Sequence, residues 1–175
     1  ETLAILGESG SGKSVSASAV MNLLDTPPAE ITSGEILFEG KDLLKVSYEE
    51  HRALNGKRIA MIFQDPLGHL NPVYTVGWQI VEMMTAHGRP LDRARARALE
   101  LVTRVGIPEP EKALKKYPHQ FSGGQRQRLM IAMALMLKPD ILIADEPTTA
   151  LDVTIQAEVL ALLKELQAET GMGLV

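Results

Sequence analysis

Cysteine is absent from the 175 residues, so disulfide frameworks, thiolate zinc sites and cysteine nucleophiles are excluded within them. No apolar run approaches the ~18 residues that cross a bilayer. The longest, Leu129 to Leu137, is stopped by Lys138-Pro139-Asp140. An excess of positive charge is also missing: 18 basic against 22 acidic side chains leave a net −4. That balance argues against a nucleic-acid binder working through a basic surface. There is no internal repeat and no low-complexity tract, and 45% hydrophobic residues are too many for a disordered chain. What remains is an ordinary globular balance. A chain of this length buries roughly 70% of its unfolded surface, enough for one compact domain with a subdomain. It opens at Glu1 without methionine, and apolar runs stand at both ends, so the sequence reads as a fragment truncated at both ends.

Short apolar runs alternate with longer helical patterns, which predicts an α/β fold with a largely parallel sheet. Thr2 to Leu6, Arg58 to Phe63 and Ile141 to Ala144 read as buried strands, and Glu35 to Phe38 as a shorter one. Ser47-Tyr48-Glu49-Glu50 fits a capping box ahead of a short helix. From about 75 to 137 no strand is predicted. Val76, Ile80, Val81 and Met84 recur at helical spacing until Gly88-Arg89-Pro90. Leu91, Ala94, Ala98, Leu101, Val102 and Val105 make a second apolar face, with Arg93, Arg95 and Arg97 on a solvated one. A third helix, from about Gln125 to Leu137, is apolar all round after Arg128 and therefore predicted to be buried. Val159, Leu162, Leu163 and Leu166 mark a last helix ending at Gly171. The layout is a sheet core interrupted by a helical insertion.

Gly7-Glu8-Ser9-Gly10-Ser11-Gly12-Lys13-Ser14 matches G-x-x-x-x-G-K-[ST] after a predicted strand and ahead of a helix. Glycines let the backbone wrap phosphate oxygens with its N–H groups inward, and the helix start adds a positive dipole end. Lys13 is placed to reach the β- and γ-phosphates, and the Ser14 hydroxyl to ligate Mg²⁺. Ile141 to Ala144 runs into Asp145-Glu146. Side chains alternate across a strand, so the two carboxylates are expected to take different jobs. Asp145 holds Mg²⁺, and Glu146 activates water beside the γ-phosphate, a role worth ~10²–10⁴ in rate. Ser122-Gly123-Gly124-Gln125, after Phe121, makes a second anion-binding helix start. One chain then carries two phosphate sites. An isologous dimer solves this, Ser122 of one chain facing the γ-phosphate held by Lys13 of the other.

In this order the motifs resemble the nucleotide-binding subunit of ATP-binding cassette (ABC) transporters, over nearly all 175 residues. In that family the phosphate loop is followed by a glutamine at a strand end, a helical subdomain, a Leu-Ser-Gly-Gly-Gln signature and an acidic strand. Here the glutamine is Gln64 in Phe63-Gln64-Asp65-Pro66, and the signature carries Phe121 in place of leucine. The family's interface loop matches Thr149-Ala150-Leu151-Asp152. Phe63 to Pro66 with Leu70-Asn71-Pro72-Val73, Tyr117-Pro118-His119-Gln120, and Ala144 to Thr154 resemble the oligopeptide/dipeptide importer ATPases, a branch that also takes up nickel and other solutes.

The resemblance implies a P-loop NTPase (RecA-like) parallel-sheet core with an inserted α-helical subdomain. Residues 1–64 and 138–175 would form the core, and 65–137 the helical subdomain with the signature and its helix. It implies ATP and Mg²⁺ as cofactors. Gly7 to Ser14 with Val15 would hold the nucleotide in one chain; Ser122, Gly123, Gly124, Gln125 and Asp152 would complete the site across the interface. Lys13, Gln64 and Glu146 would be catalytic, and Ser14, Gln64 and Asp145 would ligate the metal. The implied partners are a second ATP-binding subunit, identical or paralogous, integral membrane permease subunits and, indirectly, an extracellular solute-binding protein, with no nucleic acid. The location is the cytoplasmic face of the membrane, peripherally bound. The adenine-stacking aromatic is expected before Glu1 and the switch histidine after Val175, so these residues alone are expected to bind and hydrolyse ATP poorly. His51, His69, His87 and His119 are read as structural or surface residues. DNA-repair and chromosome-organising ATPases share the cassette, but a long coiled coil separates their loop from the signature. Here Lys13 and Ser122 are 109 positions apart with no sustained heptads. A translation-associated cassette stays open, whereas a small phosphate-loop kinase has no use for the signature.

Overall fold

The computed structural model describes residues 1–149 and 151–175, without the side chains of Pro66 and Leu67. Ala150 of the expected interface loop lies outside the described residues. In chain order the elements are α1 (Lys13–Val20), β1 (Leu37–Phe38), β2 (Lys41–Asp42), α2 (Tyr48–Leu54), β3 (Ile59–Ile62), α3 (Pro66–His69), α4 (Val76–Thr85) and α5 (Leu91–Arg104). Then come α6 (Pro110–Ala113), a 3₁₀ turn at Pro118–Gln120, α7 (Gly123–Ala134), β4 (Ile141–Ala144), α8 (Val153–Thr170) and β5 (Gly173–Leu174). No strand falls between α3 and β4 among the described residues, as the periodicity predicts.

Strands β3, β4 and β5 form a parallel sheet in that order, with Ile59 opposite Ile141 and Ile62 opposite Ala144. Their near-continuous apolar runs reflect burial on both faces. Alternation sends Ile59, Met61, Ile141 and Ile143 to one core with Met21, Leu43 and Val20. Ala60, Ile62, Leu142 and Ala144 face the larger core, shared with the helices.

The first expected strand differs. Thr2 to Leu6 makes only one parallel bridge, Thr2 to Leu174, built from Leu3 N–H to Leu174 O at 2.8 Å and Leu174 N–H to Glu1 O at 2.9 Å. Its neighbour β5 is two residues long, so pairing runs out, and Leu3, Ile5 and Leu6 are exposed. The short strand at 35–38 shrinks to β1, paired antiparallel with the unforeseen β2. Glu39 and Gly40 both have positive φ, 50° and 77°, the geometry that two-residue hairpins prefer.

The helical segments follow the pattern closely. Ala94, Ala98, Leu101 and Val102 of α5 are buried. Arg97, expected on the solvated face, is half-buried because it pairs with Glu100 and donates to Leu135 O at 3.4 Å; Arg93 and Arg95 are exposed. Helix α7 starts two residues earlier and ends three earlier than expected. Gln127, Leu129, Met130, Ile131, Ala132 and Ala134 are buried, and it packs on β3, α3, α4, α5 and α8. Helix α8 starts well before Val159, because Asp152 Oδ1 accepts from Ile155 N at 3.0 Å and caps it. The α2 capping box forms as predicted, with Glu50 N donating to Ser47 Oγ and Ser47 N to Glu50 Oε2.

Candidate functional site

The loop from Gly7 to Gly12 leads directly into α1. Gly12 has φ 92°, a conformation open to glycine but costly for other residues. No side chain caps the start of α1, so the first-turn N–H groups of Lys13, Ser14 and Val15 are available to an anion. Glu8 to Ser11 are exposed on the loop. Lys13 folds back over it, donating from Nζ to Gly7 O at 2.8 Å and Glu8 O at 3.2 Å.

The sheet register explains what Lys13 meets. Ile62 and Ala144 are level, so the residues two beyond each, Gln64 and Glu146, leave the carboxyl ends of adjacent strands side by side. Such ends are where open parallel sheets bind ligands. Gln64 Nε2 donates to Glu146 Oε2 at 2.9 Å, and Lys13 Nζ lies 3.4 Å from Glu146 Oε1. Three residues that the sequence places far apart thus form one contact group.

The direction of the Glu146 side chain has a different origin from strand alternation. Strand β4 ends at Ala144, although Asp145 N still donates to Ile62 O at 3.0 Å. Glu146 then takes φ 44°, a left-handed conformation that costs a non-glycine residue ~1 kcal/mol or more. That turn, and not the pleat, aims its carboxylate at Lys13. Asp145, Glu146 and Lys13 line a cavity of about 560 Å³ together with Thr2 to Leu6. Ser11, Gly12 and Lys13 line a neighbouring one of about 320 Å³.

Ser122, Gly123, Gly124 and Gln125 lie at the start of α7. Ser122 Oγ accepts from Gln125 N at 3.3 Å and Gln125 Oε1 from Ser122 N at 3.1 Å, a capping box. A Cβ on Gly124 would lie 2.7 Å from Ile155 Cγ2, so this glycine lets α7 and α8 start close together. Among the described residues, no hydrogen bond joins this group or Asp152 to Lys13 within one chain.

Thr149 is named by the sequence only as the first residue of the interface loop, not as a neighbour of Glu146. Its hydroxyl donates to Glu146 Oε2 at 2.9 Å, and the signal for that contact in the sequence is a hydroxyl three residues past an acid. The histidines stand apart from this group. His51 is buried in α2, His69 Nδ1 lies 2.7 Å from Asp65 O, His87 bridges Met83 O and Asn55 O, and His119 stacks on Tyr117. No group of three or more His, Cys, Asp or Glu is arranged around a metal position among the described residues.

Comparison with known proteins places these features in context. The ABC transporter family model matches residues 1–149. The chain is 55% identical to the oligopeptide transport ATP-binding protein OppD of Bacillus subtilis (strain 168), matching over 100% of its own length and 49% of that protein. It is 53% identical to the dipeptide transport ATP-binding protein DppD of Escherichia coli (strain K12), again over 100% of its length and 54% of that protein. The chain therefore spans about half the length of the curated relatives it matches. Among solved structures, the ATP-binding cassette MJ0796, described as a dimer in a post-hydrolysis state bound to ADP and Pi, superposes with a TM-score of 0.81 at 30% identity. The match covers 97% of this chain and 70% of that one. The protein cbiO1 of Clostridium perfringens, described as part of the ABC transporter complex cbiONQ, gives 0.80 at 33% identity, over 99% and 65%.

Proposed function

Because the chain belongs to the ABC transporter family, we propose that it is the ATP-hydrolysing part of an importer subunit that drives uptake of oligopeptides or dipeptides. The observation that carries this reading is the meeting of Lys13, Gln64 and Glu146 at the carboxyl ends of β3 and β4. Phosphates lie on the Gly7–Ser14 backbone and the uncapped start of α1. Lys13 leaves Gly7 O, Glu8 O and Glu146 to pair with the β- and γ-phosphates, exchanging two carbonyls and one carboxylate for stronger anionic partners. Glu146, released on that side, takes the proton of the attacking water.

The donors Ser14, Gln64 and Asp145 are all oxygen ligands, the set a hard cation such as Mg²⁺ prefers. Gln64 spends its amide nitrogen on Glu146 and keeps its oxygen for such an ion. When bound, Mg²⁺ neutralises charge on the β- and γ-phosphates.

Ser122, Gly123, Gly124 and Gln125 of a second subunit close the site, with Asp152 at the same interface. ATP-driven closure and reopening of the pair then supplies motion, a shift between two populations. Residues 65–137 act as the transmitting subdomain between two parts of the core, 1–64 and 138–175. Phe63, His69 and Leu70, just beside Gln64, line an apolar cavity of about 280 Å³ with Met83, Met130 and Met133, which supports a path from the site into the helices. No helix among the described residues is long and apolar enough to cross a membrane. Permease subunits are the spanning partners, an extracellular binding protein delivers cargo to them, and this subunit docks at the cytoplasmic face. The peptide assignment draws on the named transport roles of the relatives.

The test is ATPase turnover of the intact complex in membranes, with and without a mixed peptide pool and its extracellular binding protein. Stimulation by peptide that disappears in Glu146→Gln is the expected result. Turnover indifferent to peptide removes the cargo assignment, and an intact protein without membrane partners removes the transport role.

A further inference from the structure

A second surface stands apart from the nucleotide site. The chain has one tryptophan and three tyrosines, and the tryptophan stands beside one of the tyrosines on the outside. Trp78 and Tyr74 stack with ring centroids 4.1 Å apart and are 47% and 43% exposed. Their backbone is held in place: Thr75 Oγ1 accepts from Trp78 N at 3.3 Å, and Tyr74 O from Gln79 Nε2 at 3.1 Å. Trp78 and the exposed Leu91 line a cavity of about 620 Å³, to which Val81, Ala98, Leu99 and Leu114 add further apolar surface. This cavity shares no lining residue with the one beside Gln64.

The charges around it do not balance. Arg95, Lys115 and Glu111 line the cavity and are exposed. Among the described residues, Arg95 and Lys115 have no ion pair, whereas Arg97, Arg104 and Lys112 on the same elements each hold an acid. Residues 91–117 carry seven basic and four acidic side chains in a chain of net −4, so positive charge gathers on this part of the helical insertion. Amphipathic rings beside unpaired cations, over an apolar floor, match the chemistry of a membrane–water interface. Tryptophan and tyrosine settle there at headgroup level, and each lysine or arginine is attracted by an anionic leaflet. Its phosphates supply the partners that this chain does not.

We infer that the face built by Tyr74, Trp78 and Leu91 binds the anionic lipid surface directly, with Arg95 and Lys115 on phosphates, a role that rests on the membrane-face placement proposed above. The test mixes the intact subunit with phosphatidylcholine vesicles, with and without phosphatidylglycerol, at low and high salt. Sedimentation reads partition, and the difference in fluorescence between wild type and Trp78→Phe isolates the emission of Trp78. Wild type is expected to partition onto the anionic vesicles, less so at high salt, with Trp78 emission moving to shorter wavelength. The double variant Arg95→Gln, Lys115→Gln weakens partition roughly 20-fold, about fivefold per cation. Its ATP affinity stays within about twofold, because the nucleotide site is distant and shares no residue with this face. Where the double variant does not fold, the two single variants are read instead, each at about fivefold. Equal partition onto neutral and anionic vesicles, partition untouched by the variants, or unchanged Trp78 emission each overturns the inference. So does a Trp78 already shielded from aqueous quencher in the assembled complex in neutral lipid, since a protein partner then covers the face. Co-purification of permease subunits is scored on the same preparations. Its absence brings down the membrane placement itself, whereas its presence without vesicle binding overturns the lipid contact alone.

Discussion

Gly123 and Gly124 stand next to each other at the start of α7, yet they face different neighbours. A Cβ on Gly123 meets Leu151 Cδ2 at 3.5 Å, an ordinary contact, while one on Gly124 meets Ile155 Cγ2 at 2.7 Å. Thermal melting of Gly124→Ala is therefore expected to show a loss of about 1–3 kcal/mol from overpacking. Gly123→Ala should be neutral or gain up to ~1 kcal/mol from helix propensity. Equal melting of the two variants would remove the close-approach explanation. Lys13→Ala should abolish high-affinity ATP binding, read by calorimetric titration, because the only side-chain cation at the phosphate loop is lost. The phosphate-loop residues were legible in the sequence because their chemistry is local: eight consecutive positions hold both the backbone cradle and the cation. The Thr149 contact was not, since its partner is chosen by the left-handed backbone at Glu146, which no local pattern announces.

Among the elements, long ones were readable and short ones were not. Helices α4, α5, α7 and α8 repeat an apolar face several times, so their existence survives errors at the ends. Strands β1 and β2 have two residues each, too few to show any period. The Thr2–Leu6 run reads as a buried strand by composition, but a strand needs a neighbour long enough to pair with, and β5 is not. Gly77 gives α4 a test of its own: a Cβ there would sit 2.4 Å from Leu114 O. Backbone cannot yield as a side-chain tip does, so Gly77→Ala should cost about 2 kcal/mol or more in chemical denaturation. Two carboxylates give the hairpin and α2 a pH dependence. The Lys45 ammonium, then the Ile36 N–H, hold Asp42 below the usual carboxylate range. The Ser47 N–H and hydroxyl hold Glu50 below it. A lowered folded pKa means stabilisation that is present above the unfolded value and lost as pH falls through the folded one. Carboxyl NMR titrations should give midpoints below the usual carboxylate range for Asp42 and Glu50, and α2 amides should exchange faster once Glu50 is protonated. Midpoints at the ordinary values would dissolve both contacts.

At the scale of the whole molecule, the proposed site is half a site. Lys13, Gln64 and Glu146 converge within one chain, while Ser122 and Asp152 cap helices elsewhere. Glu146→Gln in the intact protein is expected to accumulate an ATP-bound subunit pair, seen as doubled mass by light scattering, whereas wild type returns to the open form after turnover. Failure to pair with ATP present would argue that the second anion site serves only as a helix cap. The α/β class and the helical insertion were readable because sheet and helices differ in period; the way they share one core was not, since it depends on α7. That helix is 12 residues long, about 18 Å from end to end. Ser122 caps its first turn, and Met130 and Met133 near its last line the cavity beside Gln64. Buried along most of its length, it behaves as a stiff rod on a pivot: what pushes on the methionine end re-aims the serine end. In the proposed pair, whatever fills that cavity would set the angle at which one subunit offers its serine to its neighbour, through one continuous helix.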